Sequence, residues 1–443
     1  MLGLALGGCL LVAATAGAMD ASASHSKSAP GLTGVTAAPL PAVRTVPAVR
    51  TVPAVQAAPA VQAAPAVQDA TKIADRTYPG VQLIETDFTA TLSVPDARMD
   101  SAAFARLQNR LTRQALSGAV DTTEEAILDA IVTEINKAPL TYFKPASTMR
   151  STTATVSGFG TGWVITPDGY MVTAAHVIDP DPEEIKQAFV DSALKDFVSA
   201  DARSLQQDSG VQFTPEQVKK LTEAAAAFDA HYLRMGTVAK VVRAQIGMAV
   251  AGFKKLDKGK PIEVISVGEA YPGKDVAVLK LDGEQHLPTL PVGQDSDVVA
   301  GDILYVAGYP AASTFYSGLS KDSQIQPTVT QGPLTAVKSN PAGTPIFQTQ
   351  APASPGNSGG PVLDDAGKVV GILVASAVDG KGVALEGQEF VIPISVVTEK
   401  LNQRNIHPTA SDTTNLYGQA LDAYYQRFHK RALPLFQQVA NLY

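Results

Sequence analysis

The chain has one cysteine, Cys9, in 443 residues, so no intramolecular disulfide can form and the fold must stand on packing. Aromatic residues are only 6% of the composition, with a single tryptophan, and charged residues 17%. The net charge of −7 comes without a dense basic run, which makes nucleic acid a poor partner. Five of the six histidines (His25, His231, His286, His407 and His429) show no metal-ligand spacing, and neither a metal nor an organic cofactor is expected. What the chain has in quantity is apolar side chain, 45% of all residues, enough to build cores for two or three domains.

The N-terminal stretch is compositionally distinct. Residues 1–18 are uncharged, largely apolar and end Ala16-Gly17-Ala18, which reads as a secretory signal peptide and an extracytoplasmic, periplasmic or secreted, protein. Two alternatives stay open. Leu6-Gly7-Gly8-Cys9 resembles a lipobox, although the apolar run continues through Leu10-Leu11-Val12, and the same stretch retained would be a membrane anchor. Residues 19–76 are rich in Ala, Pro and Val. Pro-Ala-Val recurs every six residues from Pro41 to Pro65, a period too short to build a core, so the segment reads as an extended tether.

Residues 77–150 read as an N-terminal extension. Residues 77–95 alternate like strands. Asp100 is placed to cap a helix carrying Phe104, Leu107 and Leu111. Thr122 or Thr123 is placed to cap a second helix with Ile127, Ile131 and Ile135, which Pro139 stops.

Three segments then carry chemistry. Pro355-Gly356-Asn357-Ser358-Gly359-Gly360-Pro361 puts one serine in a tight glycine-rich turn, where a hydroxyl can be exposed and backbone N–H groups aimed at one point. Upstream, Thr173-Ala174-Ala175-His176-Val177 ends a β-like run. Between them, Lys274-Asp275-Val276-Ala277-Val278 opens an alternating strand with an acid. Serine is a poor nucleophile unless an imidazole takes its proton, and an imidazole needs a carboxylate to hold its tautomer. His176, Asp275 and Ser358 supply those three types, with the N–H groups of Gly356 and Ser358 as an oxyanion hole. The chain order His, Asp, Ser is that of the chymotrypsin-type triad.

At these residues the sequence resembles a trypsin/chymotrypsin-fold serine protease of the HtrA/Deg branch. The similar segments are GFGTGWVITPDGYMVTAAHV (158–177), KDVAVLKLD (274–282), PVGQDSDVVAGDILYVAGYP (291–310) and TQAPASPGNSGGPVLDDAGKVVGI (349–372). The resemblance implies a mainly β domain over 151–400, built of two six-stranded antiparallel barrels with the site in the cleft between them. It implies a serine endopeptidase acting on protein or peptide substrates through an acyl-enzyme. A catalytically inactive scaffold of the same fold, binding unfolded proteins, is the alternative. Asn357 stands where zymogen-type relatives carry an aspartate, which argues against activation by a new amino terminus. No PDZ-like segment follows residue 397, so PDZ-directed capture is not carried over.

The substrate pocket is expected from Pro352 and Ala353, before the serine, and from Ala375, Ser376 and Ala377 on the following strand. No charge is in view there, which predicts cleavage after small apolar residues. Residues 180–236 are an insert in the His-to-Asp interval. Thr214-Pro215-Glu216-Gln217 has the form of a capping box opening a helix with a stripe of Val218, Leu221, Ala225, Phe228, Tyr232 and Met235. The insert is expected to form a helical hairpin, with a lid over the cleft or a subunit contact as sharper readings. Residues 401–443 read as a C-terminal helix pair docked on the second barrel, with spacings similar to the start of a tetratricopeptide repeat and a surface for a protein partner or self-association.

Overall fold

The computed structural model describes residues 70–208, 213–247, 258–378 and 384–442. The signal-peptide, lipobox, anchor and tether readings lie outside these residues. Among the described residues no helix is long and apolar enough to cross a membrane.

The described chain opens with helix α1, Ala70–Thr77, and strand β1, Val81–Met99. Three helices follow: α2, Ser101–Leu116, α3, Glu124–Lys137, and the single turn α4, Pro139–Tyr142. Asp100 accepts from the Ala103 amide and Thr123 from that of Ala126, so both helices start at the expected caps. Pro139 opens α4 rather than only ending α3, because a proline needs no donor in a first helical turn. Strand β2, Phe143–Val164, then returns antiparallel along the whole of β1, from Met99 opposite Phe143 to Val81 opposite Trp163. The boundary expected at 150/151 therefore falls inside a strand. β1 is part of the sheet itself and not an extension packed against it.

Strand β3, Tyr170–Thr173, leads to the short helix α5, Ala175–Ile178, which carries His176. The insert is α6, Pro182–Asp208, and α7, Pro215–Tyr232, followed by β4, Arg234–Met235. β5, Ala239–Gln245, pairs along β1, and β6, Lys260–Pro261, pairs on β5. β7, Glu263–Val267, and β8, Ala277–Lys280, complete the first sheet, in the order β6-β5-β1-β2-β3-β8-β7 with β4 on β1. Among the described residues this is an eight-stranded sheet rather than a closed six-stranded barrel. β1 and β2 run on past the strands beside them as a long hairpin.

The second sheet closes. Its strands are β9, Ile303–Gly308, β10, Thr328–Ser339, β11, Pro345–Thr349, β12, Pro361–Leu363, β13, Val369–Val378, and β14, Ala384–Pro393, in the barrel order β10-β11-β14-β13-β12-β9. Leu304, Val306, Leu334, Phe347, Val362, Leu373 and Val391 fill it. A larger core joins the two sheets, with Trp163, Val172, Val278, Tyr305, Ile372 and Ile392 all fully or nearly fully buried. The first turn after β9 is the short helix α8, Ala311–Thr314.

The insert packs on the protruding hairpin. Phe189, Ala193 and Phe197 of α6 lie against Phe88, Leu92, Val94 and Ala154. Leu221 and Ala224 of α7 join Leu107, Leu111, Ile131 and Ile135 of α2 and α3. The expected capping box forms, with Thr214 and Gln217 bonding each other's backbones. The buried face is Gln217, Leu221, Ala224 and Phe228. Val218, Ala225 and Tyr232 sit half-buried at its edge. The stripe is thus turned by about one residue from expectation, and Met235 lies beyond the helix, 41% exposed on β4.

After α9, Ile394–Asn402, the C-terminal pair is α10, Asp412–Tyr425, and α11, His429–Leu442. It docks on the first-sheet side and not on the second barrel. Leu287 and Leu290 bond the carbonyls of Pro167 and Val164, which lays this linker along the first sheet. Thr414 bonds both the amide and the carbonyl of Thr289, and Thr413 donates to the His286 carbonyl. Tyr425 and Asp422 also reach Asp75 and Arg76 of α1.

Candidate active site

His176 and Asp275 are brought together by the pairing of β3 with β8, which sets Thr173 opposite Ala277. His176 follows the end of β3 by three residues, and Asp275 precedes β8 by two. The imidazole Nδ1 lies 2.7 Å from Asp275 Oδ2, and the backbone N–H of His176 donates to Asp275 Oδ1 over 3.0 Å. Asp275 is completely buried, while the His176 side chain is 32% exposed. One edge of the ring is therefore held by a carboxylate in the interior and the ring itself is open to a reactant.

Ser358 is half-buried and its turn is stitched to the first sheet. The Thr161 amide donates to the Ser358 carbonyl over 2.9 Å. The Thr161 hydroxyl donates to the Gly356 carbonyl over 2.7 Å and accepts from the Tyr309 amide at 3.0 Å. Gly359 has a φ of +83°, and a Cβ there would lie 2.2 Å from Thr173 Oγ1 and 2.5 Å from the Ala174 amide nitrogen. The turn thus presses on the residues that lead into the His176 helix, and a glycine is needed for that approach.

Two peptide planes in the turn are pinned. The Pro355 carbonyl accepts from the Ala311 amide at 2.8 Å, and the Asn357 carbonyl from the Gly360 amide at 2.9 Å. In a trans peptide the N–H points opposite the carbonyl. The N–H groups of Gly356 and Ser358 therefore face away from those two anchors, with Gly356 at a φ of +102°.

Of the expected pocket residues, Pro352 and Ala353 lie just before this turn and Ala375, Ser376 and Ala377 on β13. Thr330 on β10 donates to the Pro352 carbonyl, Ala353 packs on the second-barrel core, and Ala375 on the core between the sheets. Ser376 donates to the buried carboxylate of Glu389. The sequence reading did not anticipate this contact, because a strand register across 13 positions places Glu389 beside Ser376. It also missed Thr161, whose only local sign is its place between two glycines. Among the described residues no group of three or more His, Cys, Asp or Glu side chains is placed to hold a metal.

A cluster outside the cleft ties the insert down. Arg150 on β2 meets Asp96 of β1, Asp201 of α6 and Asp229 of α7, the last with only 1% of its side chain exposed. Burial pushes the Asp229 carboxyl up to about 7, with Arg150 pulling down and Asp201 and Asp96 adding to the rise. Asp201 is raised in the same way.

The family model that matches is the trypsin-like peptidase domain, over residues 160–372. A probable periplasmic serine endoprotease, DegP-like, of Pseudomonas fluorescens is 37% identical over 135 residues, which is 30% of this chain and 25% of that protein. The serine protease Do-like HtrA of Lactobacillus helveticus is 32% identical over 154 residues, 33% of this chain and 35% of that one. A solved HtrA-type protease, AlgW with a tripeptide, aligns at 16% identity and a TM-score of 0.36, over 76% of this chain and 63% of that chain. The match thus spans about a quarter to a third of the length of these curated relatives. The chain thus matches the trypsin-like peptidase domain over residues 160–372, the stretch that holds His176, Asp275 and Ser358.

Proposed function

We propose that the protein is a serine endopeptidase that cleaves protein or peptide substrates through an acyl-enzyme. Ser358 Oγ attacks the scissile carbonyl, and His176 takes its proton through Nε2 and returns it to the leaving amine. Asp275 fixes the tautomer that leaves Nε2 unprotonated and stabilises the imidazolium when it forms. The N–H groups of Gly356 and Ser358 receive the charge that develops on the carbonyl oxygen. Water then releases the acyl group by the same steps in reverse roles.

The observation that carries this reading is the pair of hydrogen bonds from His176 to one fully buried carboxylate. A histidine that only packed in a core would not need its ring and its backbone held by one acid while its face stays exposed. The periplasmic relatives and the apolar leader support an extracytoplasmic place of action. A fluorophosphonate probe tests the reading. It should label the full chain at Ser358, and Ser358→Ala should abolish both labelling and casein cleavage. An unlabelled wild-type protein with no cleavage would refute it.

A further inference from the structure

Asp275 sits in the loop that turns from β7 into β8. β7 ends the order of the first sheet, with β8 as its strand partner among the described residues. Two backbone bonds close the loop on itself. The Gly273 amide donates to the Ala270 carbonyl at 2.8 Å, and the Gly268 amide to the Val276 carbonyl at 2.9 Å. These bonds shape the loop but do not fix it against the barrel that carries Ser358.

Three side chains from the second half of the chain reach across to it. Lys274, next to Asp275, pairs with Glu399 of α9 at 2.7 Å, but both side chains are half-exposed and water weakens such a pair. Tyr271 stacks on Phe390 of β14, with ring centroids 6.0 Å apart and planes 10° from parallel. The third is Asn340, the buried first residue of the turn from β10 to β11. Its Oδ1 accepts from the Ala342 amide at 3.0 Å and the Thr344 amide at 2.9 Å. Two N–H donors identify that end as the oxygen, so the other end is the NH2 group. Nδ2 donates to the carbonyl of Pro272, three residues before Asp275. One end of the side chain builds its own turn, and the other holds the loop of the acid. Shielded from water, this bond is the firmer polar tie of the two.

We propose that Asn340 is a positioning residue for the triad. It fixes the Asp275 loop to the second barrel, so that acid, imidazole and hydroxyl keep one alignment across the two sheets. The proposal rests on the endopeptidase reading above. Asn340→Asp isolates the tie. Its retained oxygen keeps both turn bonds, while at about pH 8 the second oxygen is ionised and meets the Pro272 carbonyl as acceptor against acceptor. On a peptide substrate kcat should fall about tenfold to 100-fold with KM changed less than about twofold, because alignment is lost and substrate contacts are not. A second measurement needs no turnover. The proton between His176 Nδ1 and Asp275 Oδ2 gives a far-downfield NMR signal, assigned by its loss in His176→Ala. In Asn340→Asp it should broaden or move upfield, with the melting temperature confirming the fold. Should Asn340→Asp fail to fold, Phe390→Leu removes the ring against Tyr271, leaves the turn alone and carries the same two expectations. A folded variant with an unchanged signal, or with unchanged kcat in an active enzyme, would overturn the proposal. A signal that moves in a protein without peptidase activity would uphold the positioning of Asp275 and refute the endopeptidase reading alone.

Discussion

The hydroxyl of Thr161, on the first sheet, donates to the carbonyl of Gly356, in the turn that carries Ser358, across 195 positions of sequence. The same hydroxyl accepts from the Tyr309 amide. One side chain therefore joins the first sheet, the turn after β9 and the serine turn. Thr161→Val keeps the shape and removes both bonds. It leaves two buried backbone groups without that partner, so stability should fall by about 2–4 kcal/mol in denaturant melts. Fluorophosphonate labelling of Ser358 should slow at least tenfold, and Thr161→Ser should recover most of it.

Asp275→Asn separates orientation from charge. The amide can still hydrogen-bond, but it no longer fixes the productive tautomer of His176. The variant should fold and lose about 10,000-fold in kcat with little change in KM, measured on a peptide substrate. A loss of less than tenfold would show that Asp275 only packs.

Gly356→Ala should act on the barrier and not on binding. A Cβ at this position would lie 2.3 Å from the Tyr309 carbonyl oxygen, at a φ of +102° that alanine resists. The turn must shift, and the Gly356 N–H shifts with it. The expected loss is about 100- to 1000-fold in kcat, the usual cost of one misplaced oxyanion donor.

The Arg150 cluster predicts a pH dependence with a definite sign. Asp229 holds its proton in the folded protein up to about 7, against 3.8 ordinarily. Between these values the folded state binds more protons than the unfolded one, so this group's contribution falls as pH rises through the window. Asp229→Asn removes that loss. The two proteins should melt alike below the window. The variant's advantage should grow across it and level off above about pH 7. An advantage that shrinks with rising pH would contradict the assignment.

How legible all this was depended on distance along the chain. Ser358, His176 and Asp275 each sit in a short motif whose residue types are dictated by chemistry, and their order is fixed, so sequence alone points to them. The caps at Asp100, Thr123 and Thr214 are equally local. The contact of Glu389 with Ser376 was illegible because it depends on which residue lies across a strand pair. Thr161 was illegible because one threonine between glycines carries no sign of the two loops it joins. The docking of α10 was misread because Thr414 is committed to Thr289 by a pairing 125 positions long that periodicity does not encode.

The hairpin of β1 and β2 has a practical consequence for anyone trimming this protein. The stretch that matches the peptidase family begins at residue 160 and stops at 372. It omits β1, which lies between β2 and β5, and β14, which lies between β11 and β13 and completes the barrel. A clone cut to those limits would bare two sheet edges. Such edges recruit other chains, so the shortened product should accumulate as insoluble aggregate while a version starting near residue 70 expresses as folded protein.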